Sequence, residues 1–130
     1  MGYILDDEAK DLLETVREFC EKEVKEQCKE YDVSGEWPEE IYKKAGEMGL
    51  NGIEVPEELG GLGLNRITHA ALYEEMAKAD AGFFTTISVA NLALKPLIIG
   101  GNTVLAQRAA DILLNGGFGA FCLTGPMAGS

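Results

Sequence analysis

A chain of 130 residues suits a single domain, and a composition 46% hydrophobic and 25% charged is that of an ordinary soluble globular protein. The formal charge of -11 argues against nucleic-acid binding, which needs Lys and Arg to displace counterions from phosphates, and against docking on an anionic membrane surface. The cysteines exclude a disulfide framework. Cys20 and Cys28 would lie about 12 Å apart on one helix, and their number is odd with no C-x-x-C pair. With no leader segment at the start, the expected setting is reducing and cytoplasmic.

The charge is unevenly divided. Residues 1–61 hold eighteen acidic and seven basic side chains, whereas 81–130 carry only Lys95, Arg108 and Asp111. So few charges do not cover an ordinary solvent-facing surface. Asp6 is placed to cap a first helix, with Asp7 and Glu8 in the turn where the helix dipole favours anions. Leu12, Leu13, Val16, Phe19, Cys20 and Val24 then recur as an apolar stripe, and Glu18–Lys22 and Glu21–Lys25 pair on the opposite face. This helix is expected to end near Tyr31, before Ser34-Gly35. A second starts with Pro38 as its first residue and stops at Gly49.

A loop built on Ile53, Val55, Pro56 and Gly60-Gly61-Leu62-Gly63 leads to a third helix, from about Arg66 to Ala79. After Asp80 the chain is apolar on nearly all sides, as in a helix buried in a larger protein or a membrane. Asn91, Lys95 and Pro96 interrupt that run before the roughly 18 apolar residues a membrane span requires. Gly100-Gly101 ends it, and Asn102 and Thr103 cap a fifth helix that closes at Gly116-Gly117. Gly119-Ala120-Phe121-Cys122-Leu123 reads as a short strand. The expected fold is mainly α, a bundle of about five helices over 1–117, with the start of a β domain at 118–130.

Several sharper motifs fail on chemistry. Gly61-Leu62-Gly63 lacks the third glycine of a dinucleotide fingerprint. His69 is the single histidine, so a histidine metal site or a Ser–His pair has no second member, and it reads as a solvent-facing residue near a helix start. Glu39-Glu40, Glu57-Glu58 and Glu74-Glu75 are neighbours in sequence, and helical neighbours diverge by about 100° rather than forming an acid–base dyad. The informative stretch is the last. Phe121-Cys122-Leu123-Thr124 runs into Gly125-Pro126-Met127-Ala128-Gly129-Ser130, a turn whose backbone N–H groups suit an anion and whose glycines allow close approach.

In these features the chain resembles the N-terminal part of the flavin-dependent acyl-CoA dehydrogenases. The resemblance covers essentially the whole chain. It rests on Val16-Arg17-Glu18-Phe19, Gly35-Glu36-Trp37-Pro38, Gly49-Leu50-Asn51-Gly52-Ile53, Val55-Pro56-Glu57-Glu58-Leu59-Gly60-Gly61-Leu62-Gly63, Glu74-Glu75-Met76-Ala77, Ala79-Asp80-Ala81 and the Thr124-Gly125-Pro126-Met127-Ala128-Gly129-Ser130 end. It implies an N-terminal helical domain followed by a middle β domain and a C-terminal helical bundle that helps assemble a homo-oligomer. It also implies α,β-dehydrogenation of an acyl-CoA thioester with hydride passed to FAD, and electron-transfer flavoprotein as partner. On this sequence Phe121, Cys122, Leu123 and Thr124 would lie beside the isoalloxazine ring, and Gly129 and Ser130 near the pyrophosphate. Ser130 would also reach the thioester, and the helix around Ser88 and Leu92 would wall the acyl pocket.

The chain departs from the family in having Gly125 where Glu is usual, and in lacking Tyr-Leu-Pro around Ala109-Ala110-Asp111. The family's catalytic base belongs to the C-terminal domain, so no catalytic residue is assigned here. The expectation is a chain inactive alone, with weak or absent flavin binding, since an α-carboxylate at Ser130 would face the pyrophosphate and repel it. The alternative is a non-enzymatic helical module that binds a partner or itself through its charge-poor half, 81–130.

Overall fold

The computed structural model describes residues 4–126. Asp6 opens the first helix, its carboxylate accepting from the Ala9 amide at 2.8 Å. Helix α1 (Asp7–Phe19) runs without a break through a π turn (Cys20–Val24) into α2 (Lys25–Ser34). The π turn was not expected, and its cause lies in the spacing. Val16, Cys20, Val24 and Cys28 are all buried four residues apart, and four-residue steps drift around an α-helix of about 3.6 residues per turn. A wider i→i+5 turn takes up much of that drift and keeps the stripe on one face. The rod therefore continues past Tyr31 to Ser34. Gly35 stops it at φ 71°, a left-handed conformation that a side chain would strain. On its outer face Lys22 and Glu18 pair at 2.8 Å and Lys25 and Glu21 at 2.9 Å.

Pro38 precedes α3 (Glu39–Glu47) as its cap residue rather than its first helical one. Two 3₁₀ turns, Leu50–Gly52 and Glu57–Leu59, carry the chain across the bundle to α4 (Arg66–Ala79). Asn65 caps α4, its side-chain oxygen accepting from the amides of Ile67 and Thr68 at 3.0 Å each. One residue, Asp80, separates α4 from α5 (Ala81–Ile99), and it caps α5 by accepting from the Phe83 amide at 2.6 Å. Asn102 caps α6 (Thr103–Leu114) in the same way, from the Leu105 amide at 3.1 Å. With α1 and α2 counted as one rod, the described residues form five helices.

The core has two parts. The larger joins Val16, Val24, Ile41, Leu72, Met76, Phe83 and Ile87, and so closes the α1–α2 rod, α3, α4 and the first half of α5 on one another. The smaller joins Ala90, Leu94, Ala106, Ala110 and Leu113 from the second half of α5 and α6 with Val55 from the connection between α3 and α4. Asn51 ties the two, its amide donating to the Leu113 carbonyl at 3.3 Å. Helix α5 is long and apolar enough to cross a membrane by length and composition, and it continues through Asn91, Lys95 and Pro96. Here it packs between α4 and α6.

Two further expectations change. Residues 119–123 form no strand among the described residues; a strand needs a second backbone to pair with, and the described residues offer none. His69 is half-buried rather than solvent-facing, and its Nε2 is buried without a hydrogen-bond partner among the described residues.

Candidate functional site

Helix α5 positions the first half of the site through its own periodicity. Phe83, Ile87, Ala90, Asn91 and Leu94 face inward. At 100° per residue, Thr85, Ser88 and Leu92 fall on the opposite side. Thr85 and Leu92 are exposed and Ser88 half-buried. The hydroxyls on this stretch are spent on the helix itself. Thr85 donates to the Ala81 carbonyl at 2.7 Å, Thr86 to Gly82 at 3.1 Å and Ser88 to Thr85 at 3.0 Å. What the outer face offers a ligand is mostly carbon, with Leu92 at its centre.

A polar pin on the helix flank holds that face in register. Asn91, 1% exposed, accepts from the Glu54 amide at 3.1 Å and donates to the Ile87 carbonyl at 3.0 Å. The Glu54 carboxylate in turn pairs with Lys95 of α5 and accepts from the Tyr73 hydroxyl of α4 at 2.7 Å. Burial opposes ionisation of Glu54 most strongly. The hydrogen bonds from Lys95 and Tyr73 together outweigh it, so the carboxyl sits below its ordinary range. The same contact and burial push the Tyr73 phenol up, burial most. Glu75 is also held ionised, first by the Arg17 guanidinium and also by Lys78. The two carboxylates set deepest among these ion pairs are therefore committed to cations, which makes them poor proton acceptors.

Residues 115–126 supply the second half. Beyond α6 the chain crosses α5 where Gly119 lies against it, so closely that a Cβ there would sit 2.8 Å from the Ala93 Cβ and 3.0 Å from the Ala90 carbonyl oxygen. Past that crossing Phe121, Cys122, Leu123 and Thr124 are all exposed. An open cleft of about 550 Å³ lies between this segment and α5, lined by Trp37, Thr85, Thr86, Val89, Phe118 and Gly119. Of the residues named from sequence, Ser88 and Leu92 thus share one face of α5, and 121–124 form one exposed run. Gly129 and Ser130 lie outside the described residues. Sequence reasoning missed Trp37, Thr85 and Phe118; the available signal was a lone tryptophan in a polar connection, which a helix-by-helix reading treats as loop.

Along the run 121–124 two apolar side chains alternate with a thiol and a hydroxyl, and the exposed backbone and Thr124 offer hydrogen-bond donors.

The family described as acyl-CoA dehydrogenase, N-terminal domain, matches residues 6–116. A probable acyl-CoA dehydrogenase of Bacillus subtilis (strain 168), YngJ, is 36% identical over 132 aligned residues, covering 100% of this chain and 35% of the relative. Among solved structures, butyryl-CoA dehydrogenase from Megasphaera elsdenii superposes with a TM-score of 0.82 at 30% identity, over 99% of this chain and 35% of the other. A chain from structural work on the electron transferring flavoprotein of Acidaminococcus fermentans and flavin-based electron bifurcation superposes at 0.85 and 32% identity, over 99% of this chain and 34% of that one. The chain spans about a third of the length of these relatives.

Proposed function

Because the chain belongs to the family of acyl-CoA dehydrogenase N-terminal domains, we propose that it serves α,β-dehydrogenation of an acyl-CoA thioester as the acyl-pocket wall and as one loop of the FAD site. The observation that carries this is the outer face of α5. Thr85, Ser88 and Leu92 stand away from the core, and the Thr85 and Ser88 hydroxyls already donate to helix carbonyls, so an alkyl chain can lie along this face without leaving those donors unpaired. FAD supplies hydride acceptance when bound. The residues here that would hold it are Phe121, Cys122, Leu123 and Thr124 beside the ring, with Gly129 and Ser130 toward the pyrophosphate. Ser130 would also touch the thioester, and electron-transfer flavoprotein would receive the electrons.

Proton abstraction falls to none of the buried carboxylates, since Glu54 and Glu75 are tied to Lys95 and Arg17. In this reading the chain alone binds flavin weakly and turns over no substrate, and it works in a reducing compartment. Titrating the labelled chain with FAD and separately with butyryl-CoA, followed by amide NMR shifts, tests it. FAD is expected to move residues 121–124 and butyryl-CoA residues 85–92. Shifts confined to other surfaces, or stoichiometric flavin that survives desalting, would overturn it.

A second reading rests on exposed apolar side chains in the charge-poor half. Ile99 is 84% exposed and Val104 78%, and Ile112 and Leu123 are also bare. Such a surface favours association with a second copy.

A further inference from the structure

Residues 118–124 carry no helix or strand, and no backbone hydrogen bond joins them to other described residues. Among the described residues, rings and one glycine attach the start of this run to the bundle. Trp37 stacks on Tyr42 with centroids 4.4 Å apart and planes 2° apart. Phe118, more than seventy residues later, stands nearly perpendicular to both, at 5.4 Å from Trp37 and 6.1 Å from Tyr42, with interplanar angles of 80° and 78°. These are favoured aromatic geometries, a parallel stack and near-perpendicular contacts. Tyr42 is itself anchored, 5.4 Å from Phe83, a fully buried core residue of α5. One residue on, the missing side chain of Gly119 lets the backbone touch Ala90 and Ala93 of the same helix.

We infer that Phe118 and Gly119 are positioning residues, a clasp that sets residues 121–124 at one place relative to the outer face of α5. The inference rests on the reading of that face as acyl wall and of 121–124 as flavin loop. If both hold, the clasp fixes the distance between the acyl chain and the ring edge. That distance matters because reacting atoms must meet within about 3–3.5 Å, and a misplacement of about 1 Å costs on the order of a hundredfold in rate.

The exposed thiol of Cys122 allows a direct test in the chain itself. Burial raises the Cys20 thiol to about 12 and the Cys28 thiol to about 11, with nearby acidic groups adding to each, so at neutral pH both are poor nucleophiles. A nitroxide reagent therefore marks residue 122. The label is expected to be restrained in the natural chain. In Phe118→Ala the docked-to-free ratio should fall about tenfold, the scale of two lost aromatic contacts, and in Gly119→Val it should fall because a side chain there would run into Ala90 and Ala93. Phe118→Tyr should keep the restraint, because it keeps the aromatic ring. An unchanged thermal transition would show that the bundle still folds, and Gly119→Val leaves all the rings in place if Phe118→Ala does not. A label equally mobile in all four proteins overturns the clasp. If the clasp responds as expected while FAD and butyryl-CoA move no amide in the natural chain, the clasp stands and the flavin reading fails. Conversely, ligand shifts in the natural chain with an indifferent label would leave that reading intact.

Discussion

Glu54 shows how one residue can be ordinary in sequence and consequential in the fold. It sits in a loop two positions before a proline, yet its side chain is 13% exposed and is gripped by a lysine from α5 and a phenol from α4. Its folded carboxyl lies below the ordinary value of 4.5. The stabilisation is therefore complete above that value and is lost as pH falls through the folded one. Glu54→Gln should lower stability at pH 7 by about 1–2 kcal/mol, the worth of charge-assisted hydrogen bonds to a mostly buried group. In urea melts the gap between the two proteins should narrow as pH falls below 4.5 and through the folded value, where the natural side chain loses its charge as well. Equal stability at pH 7 would show that Lys95 and Tyr73 contribute nothing net. No local rule exposes this trio, whose members are 19 and 41 residues from Glu54 in sequence.

Caps and stripes were the most readable features at the scale of elements. Asp6 and Asn102 bind the amides their positions suggest, and Gly49 takes the left-handed conformation expected of it. Such signals are local, because a cap satisfies amides two or three residues away. Asp80 is the most exacting of these. It ends α4 and caps α5 with no other residue between them, so the angle between two core helices depends on it. Asp80→Ala should cost about 1 kcal/mol, within the usual range of about 0.5–2 for a lost N-cap, read as a shift in the denaturation midpoint. Far-UV circular dichroism should show fraying limited to one turn; loss of most helical signal would mean that the junction carries more than a cap. The π turn at Cys20–Val24 was not readable in the same way. Its cause is the need to hold Val16, Cys20, Val24 and Cys28 against α3, α4 and α5, and that need exists only once those helices are in place.

At the scale of the molecule the two halves divide the labour. The acidic first half wraps a dense core and keeps its charges outward in short-range pairs. The charge-poor second half presents α5, α6 and the terminal run with apolar groups still in solvent. If that surface is a seam between copies, light scattering should show the average mass rising from 14.0 kDa with concentration. A Val104→Lys, Ile112→Lys double variant, at positions already exposed, should hold the monomer mass without loss of melting temperature. A natural chain that stays at the monomer mass throughout would remove the second reading. The sequence by itself determined the helical class, the limits of most helices and the family, because periodicity, caps and ordered short motifs are written within a few residues of one another. The tertiary structure alone decided which face of α5 is left open, that residues 119–123 lack a strand partner among the described residues, and that Trp37 and Phe118 meet beside the cleft. Those outcomes depend on contacts between residues tens of positions apart, and packing selects among them only when the whole bundle closes.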